Sequence, residues 1–148
     1  VHNPIDIVRL RQAAGNALGA NLDPSHFFWQ GIDPVEAARF LGENKCVFHV
    51  HAKDCAIDPR NSGVGGNLDI RSYGDVKNRG WVFRTVGYGH GDDFWKPFIS
   101  MLRLYGYDGV ISIEHEDSLM SMSEGFEKAV AYLKGVILRE PLGKAWWF

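Results

Sequence analysis

Three residues of this chain have the chemistry to hold a divalent cation, and each closes a short stretch of alternating character. Asp23 ends Gly19-Ala20-Asn21-Leu22-Asp23, and Glu114 ends Val110-Ile111-Ser112-Ile113-Glu114. His51 lies in Phe48-His49-Val50-His51-Ala52-Lys53-Asp54. Residues i and i+2 of a strand share a face. Asn21 and Asp23, His49 and His51, and Val110, Ser112 and Glu114 therefore project one way, while Ala20, Leu22, Phe48, Val50, Ile111 and Ile113 project the other. Two carboxylates and an imidazole form an O/N/O donor set that suits divalent metals. Singly, each has a plainer reading, since an Asp before a loop is commonly a cap and a strand His a hydrogen-bonded core residue. Jointly they point to a site, because the C-terminal ends of parallel strands in β/α architecture converge where chemistry is done. A buried carboxylate without a cation would also be costly. Lys53 either adds a positive charge beside this group or pairs with Asp54.

The elements that must position these residues alternate in kind. Asn3-Pro4 reads as an N-cap with proline at the first helical position, opening a helix to about Ala14 that Gly15 stops. The first strand follows. Asp33-Pro34-Val35-Glu36 is a capping box for a helix through Leu41, closed by Gly42, and Cys46 to His51 is the second strand. Residues 54–91 hold many glycines with Trp81 and Phe83 among them, and read as a long, ordered, lid-like loop. Phe94, Phe98, Leu102 and Tyr105 recur at helical spacing, with Pro97 tolerated near the first turn. Gly109 to Glu114 is the third strand, and Ser121-Met122-Ser123-Glu124 caps a last helix with Phe126, Ala129, Val130, Leu133 and Ile137 inward. Strand and helix in alternation with short links predict an α/β fold of parallel β/α units.

Composition narrows the function. A chain of 148 residues with 45% hydrophobic content suits one domain, residues 1–148, with a packed core. The net charge is −2 and no Lys/Arg block stands out, which argues against nucleic acid as a partner. No run is apolar and long enough for a membrane span, and no signal-peptide pattern opens the chain. Cys46 and Cys55 form no CxxC pair, so reduced thiols in a cytoplasmic protein are expected.

Asp23-Pro-Ser-His26, His49-Val-His51-Ala-Lys53-Asp54, Gly87-Tyr-Gly89 and Ser112-Ile-Glu114-His-Glu116-Asp117 fall in order along the chain. Together they resemble the sugar phosphate isomerase/epimerase superfamily of xylose-isomerase-like TIM barrels, which also includes AP-endonuclease-type enzymes. The resemblance implies the C-terminal portion of a (β/α)8 barrel. In the epimerase branch Glu, Asp, His and Glu at the ends of the fifth to eighth strands hold one metal ion (Mn, Mg, Co or Zn), and Asp23, His51 and Glu114 match the last three. His49 then falls beside the ligands or in the core. His26 matches a histidine that contacts substrate oxygens. An Arg six residues after the ligand His has no counterpart, since Ile57 stands there; Arg84, just before Gly87-Tyr-Gly89, is either its replacement or a solvated loop residue.

The implied chemistry is proton transfer next to the carbonyl of a ketose or cyclitol, with Glu114 as one of two metal-bound acid/base groups. His26, Arg84 and Lys53 would face the substrate. One alternative is an AP-endonuclease-like metal phosphoesterase, which needs more ligands and a basic groove. Another is a non-catalytic, incomplete barrel. The first ligand of the epimerase pattern has no counterpart, and a closed barrel takes eight strands and about 250 residues. The chain is therefore expected to be incomplete and inactive alone, and to need the N-terminal part of the barrel or an oligomeric partner.

Overall fold

A computed structural model describes residues 1–144 and 147. Its elements run α1 (Pro4–Ala14), β1 (Ala20–Leu22), α2 (Pro24–Gln30), α3 (Pro34–Glu43), β2 (Val47–Ala52), β3 (Asp54–Ile57), α4 (Pro59–Gly65), β4 (Trp81–Arg84), α5 (Asp92–Leu104), β5 (Ile111–Ile113) and α6 (Met122–Val136). Four helices open on an Asx-Pro pair. The side chains of Asn3, Asp23, Asp33 and Asp58 each accept a backbone N–H of the turn that follows, and proline occupies the position whose own N–H would have had no partner.

β1, β2 and β5 form one parallel sheet in that order. Leu22 sits beside Val50, Val50 beside Ile111, and His51 beside Ser112. That register turns Leu22, Val50 and Ala52 toward the helices. There they are buried with Ala37, Ala38 and Leu41 of α3, Trp95, Phe98 and Leu102 of α5, and Ala129 and Leu133 of α6. Burial of these side chains contributes roughly 1.5–3 kcal/mol for each large one. The opposite face carries Asn21, His49, His51 and Ser112, and on it Ser112 Oγ lies 2.8 Å from His49 Nε2. The α/β class, with parallel strands covered by helices, is what the residue pattern predicts.

Residues 54–91 are not one irregular loop, and the expectation is corrected in that respect. β3 and β4 pair antiparallel, Asp54 opposite Arg84 and Ile57 opposite Trp81, and α4 begins the excursion between them. The two strands are separated by residues 58–80, so no local turn announces the pairing. The expected strand ends also shorten: β1 and β5 have three residues each. α2, starting at Asp23-Pro24, replaces what reads in sequence as a polar strand end running into a loop. No helix among the described residues is long and apolar enough to cross a membrane.

Candidate metal centre

Parallel pairing brings the three strand ends together. Asp23 follows β1, His51 is the penultimate residue of β2, and Glu114 extends β5 through a bond from its N–H to the carbonyl of Ala52. One ligand atom from each of Asp23, His51 and Glu114 lies within 4.8 Å of the others. His51 Nδ1 is 2.7 Å from Glu114 Oε2 and 3.9 Å from Asp23 Oδ2. The side-chain amide of Asn21 stands 3.2 Å from His51 Nε2 and fixes the other side of the ring.

Asp23 serves as helix cap and site carboxylate at once. Its Oδ1 accepts the backbone N–H and hydroxyl of Ser25, at 2.9 and 2.7 Å, while Oδ2 turns inward. The cap therefore aims the free oxygen. His26, one turn into α2, places Nε2 3.5 Å from that oxygen and remains half-exposed at the mouth.

Lys53 is only 1% exposed and lies beneath the carboxylates. Its Nζ is 3.3 Å from Asp23, 3.1 Å from Glu114 and 2.9 Å from Glu116. Burial disfavours its charge, but Asp23, Glu116 and Glu114 outweigh that and raise its pKa. Glu114 answers in kind: burial would raise its pKa, yet Lys53 and His51 hold it below the ordinary carboxylate range. Three carboxyl groups around one ammonium leave room for a further positive charge. The donor set fits a divalent cation. Its 4.8 Å span is a little wider than the roughly 4 Å set by two bonds of about 2.1 Å, so a small closure suffices.

Lys53 does not pair with Asp54, because adjacent strand residues point oppositely. The Asp54 carboxylate is fully buried on the other side. It accepts the backbone N–H groups of Cys55, Gly87, Gly89 and His90 at 2.8–3.1 Å, lies 2.8 Å from His90 Nδ1, and takes the Trp95 indole N–H at 3.3 Å. Gly89 is required there, since a β-carbon would strike the Cys55 carbonyl and the Asp54 carboxylate. The same alternation divides Glu114-His115-Glu116-Asp117. Glu114 and Glu116 face the site, whereas buried Asp117 accepts Arg84 Nε at 3.0 Å and the N–H groups of Thr85 and Leu119 at 2.8 and 2.9 Å. Burial opposes ionisation of Asp117, but those donors hold its pKa below the usual value.

The structure thus gives Arg84 to Asp117 and leaves it off the walls of the site. Phe83, its neighbour on the opposite face of β4, lines the site instead, with its ring centroid 4.4 Å from Lys53 Nζ. A cavity of about 420 Å³ lies here, walled by His26, Lys53, Tyr73, Phe83, Glu114 and Glu116. Glu116, Phe83 and Tyr73 are the lining residues that residue-by-residue reading leaves without a role. Glu116 was within reach, since it stands two residues after Glu114 on extended chain; Tyr73 depends on how residues 58–80 fold and carries no local signal.

Comparison with known proteins agrees with this fold. The chain is 43% identical over 137 residues to an uncharacterized protein, YfiH, of Bacillus subtilis (strain 168), covering 93% of this chain and 43% of YfiH. It superposes with a TM-score of 0.64 on the crystal structure of a xylose isomerase domain protein from Planctomyces limnophilus. That match has 22% identity and covers 90% of this chain and 43% of the other. The chain thus spans less than half the length of either. The family model described as xylose isomerase-like TIM barrel matches residues 1–136, and the chain belongs to that family.

Proposed function

We propose that this chain supplies the metal-binding and proton-transferring strand ends of a divalent-metal-dependent sugar isomerase or epimerase. The reading is carried by the convergence of Asp23, His51 and Glu114 on one point at the ends of three parallel strands. Asp23, His51 and Glu114 would hold one divalent ion: Mn, Mg, Co or Zn. Such an ion, when bound, polarises adjacent hydroxyl and carbonyl oxygens of a ketose or cyclitol. Glu114 takes or returns the proton on the carbon between them, as a positioned carboxylate can. Lys53 holds Glu114 and Glu116 in place from below, and His26 at the mouth donates to substrate oxygens. Phe83 excludes water from that side. Arg84 has no part in this scheme, being engaged by Asp117.

The second carboxylate of a proton-transfer pair is assigned to the preceding part of the barrel, which this chain would meet as one domain or as a partner. A multi-metal phosphoesterase is less well supported: among the described residues one three-residue ligand group is found. The buried, unpaired Cys46 and Cys55 accord with a cytoplasmic location. The test is deuterium uptake from solvent at the carbon beside the carbonyl, over a panel of ketoses and inososes with Mn²⁺. It uses this chain grafted onto the portion of YfiH that the match leaves uncovered. Exchange is expected in the graft, and Glu114→Gln should slow it by at least about 10². No exchange, or an equally active Gln variant, would contradict the proposal.

A further inference from the structure

Among the described residues, the charged and basic groups on the wall of the site cavity are Glu114, Glu116, Lys53 and His26. Glu116 lies outside the ligand group, and its side chain is 48% exposed. Both basic residues already face carboxylates. Lys53 Nζ is enclosed by Asp23, Glu114 and Glu116, and His26 Nε2 stands 3.5 Å from Asp23 Oδ2. Three carboxylates around one ammonium leave two negative charges, which one divalent ion balances. A dianionic group on the substrate would meet Glu116 with no cation of its own.

The loops that follow the last strands of a β/α barrel commonly bind phosphate, and successive backbone N–H groups make the nest for it. Such a nest exists here between β4 and α5, and a protein side chain fills it. The N–H groups of Gly87, Gly89 and His90 converge on Asp54 Oδ2 at 2.9–3.1 Å, and Asp54 is 0% exposed. A phosphate has no access to them. α5 opens from the same loop with Asp92 and Asp93 in its first turn, which repel a further anion. The nearby arginines are engaged as well. Arg84 Nε meets Asp117 at 3.0 Å, and Arg71 holds Asp69 through Nε at 2.9 Å and Nη2 at 2.7 Å. Arg79 is buried, with its guanidinium 4.2 Å from the Tyr73 ring centroid and 4.9 Å from that of Trp81.

We infer that the site selects a neutral sugar and rejects the phosphate ester of the same sugar, with Glu116 as the residue that discriminates. The Glu116 carboxylate accepts protons from hydroxyl groups, which a neutral sugar offers and a phosphate dianion in the same place does not. Like charges brought together there repel. A group that turns the wrong ligand away sets specificity as much as contacts to the right one. This selectivity rests on reading the cavity as a sugar site and adds the charge of the sugar.

The test is saturation-transfer NMR on the chain grafted onto the portion of YfiH that the match leaves uncovered, with Mg²⁺ present. The probes are fructose, tagatose, xylulose and ribulose, each paired with its monophosphate ester, and inorganic phosphate as a competitor. At least one neutral ketose should bind at least about tenfold more tightly than its ester, and inorganic phosphate should not displace it. Glu116→Gln, which keeps the shape and removes the charge, should bring the two within about threefold and leave the Mg²⁺ titration unchanged. Glu36→Gln, the same change of charge on the exposed side of α3, should leave the gap as it is. Esters that bind as tightly as the neutral ketoses, displacement by inorganic phosphate, or no binding of either class would overturn the selectivity. So would a gap that Glu116→Gln leaves intact or that Glu36→Gln closes equally. Deuterium uptake beside the carbonyl separates the two readings. Uptake with esters bound as tightly overturns the selectivity and keeps the isomerase assignment; a neutral preference without uptake in any ketose does the reverse.

Discussion

Lys53 is the residue on which the site's electrostatics turn. Its ammonium is buried among Asp23, Glu114 and Glu116, and removing one member of a buried ionic group leaves the others uncompensated. Lys53→Met should lower the unfolding free energy by about 3 kcal/mol in the absence of divalent metal. Saturating Mn²⁺ should recover part of the loss, because a cation replaces the missing charge. Urea titrations with and without Mn²⁺ measure both effects, and an equally stable variant would show that the ammonium is not needed. Asp117 makes a pH prediction. Its folded pKa lies below the unfolded value of about 3.9, so its ionisation stabilises the fold above that value, and the gain is lost as pH falls through the folded pKa. Asp117→Asn should therefore flatten the acid limb of the stability-against-pH curve. An unchanged acid slope would remove Asp117 from the account.

At the scale of elements, the Asp54 carboxylate fastens the start of β3 to the loop before α5, with backbone N–H groups and the Trp95 indole as donors. Asp54→Asn turns an NH2 donor toward N–H groups that need an acceptor, and should cost about 2–4 kcal/mol by thermal or urea unfolding. Beside it, burial, with Asp54 and Asp23 adding their charge, pushes the Cys55 thiol up to about 12. Cys55 should resist a thiol reagent at pH 8 in the native state and react promptly in denaturant; rapid native labelling would place it outside the core. Much of this was legible in the sequence. Asn3-Pro4 and Asp33-Pro34 announce two helices, and the same signal at Asp23-Pro24 and Asp58-Pro59 marks two that alternation and glycine content obscured. The β3–β4 pair was not legible, because Ile57 meets Trp81 across the whole excursion. Nor was the partner of Lys53, since strand alternation sends Asp54 to the opposite side and the true partners lie just beyond the ends of two other strands. Asp23, His51 and Glu114 were legible because each stands at the end of its own strand pattern.

For the whole molecule, the three-stranded sheet has β1 and β5 as open edges, and its polar face carries Asn21, His49 and Ser112. Parallel sheets are ordinarily covered on both faces, and unpaired edges invite association. The chain spans 43% of the length of YfiH. Purified alone, it should self-associate or remain only marginally stable, and co-expression with the portion of YfiH that the match leaves uncovered should yield a one-to-one complex by light scattering. A stable monomer with fast turnover would contradict this. The central claim, that Asp23, His51 and Glu114 make one cation site, is tested most directly by calorimetric titration with Mn²⁺. One ion per chain is predicted, with affinity falling at least about tenfold in Asp23→Asn and in His51→Ala. No binding, two or more ions per chain, or affinity unchanged in both variants would contradict it.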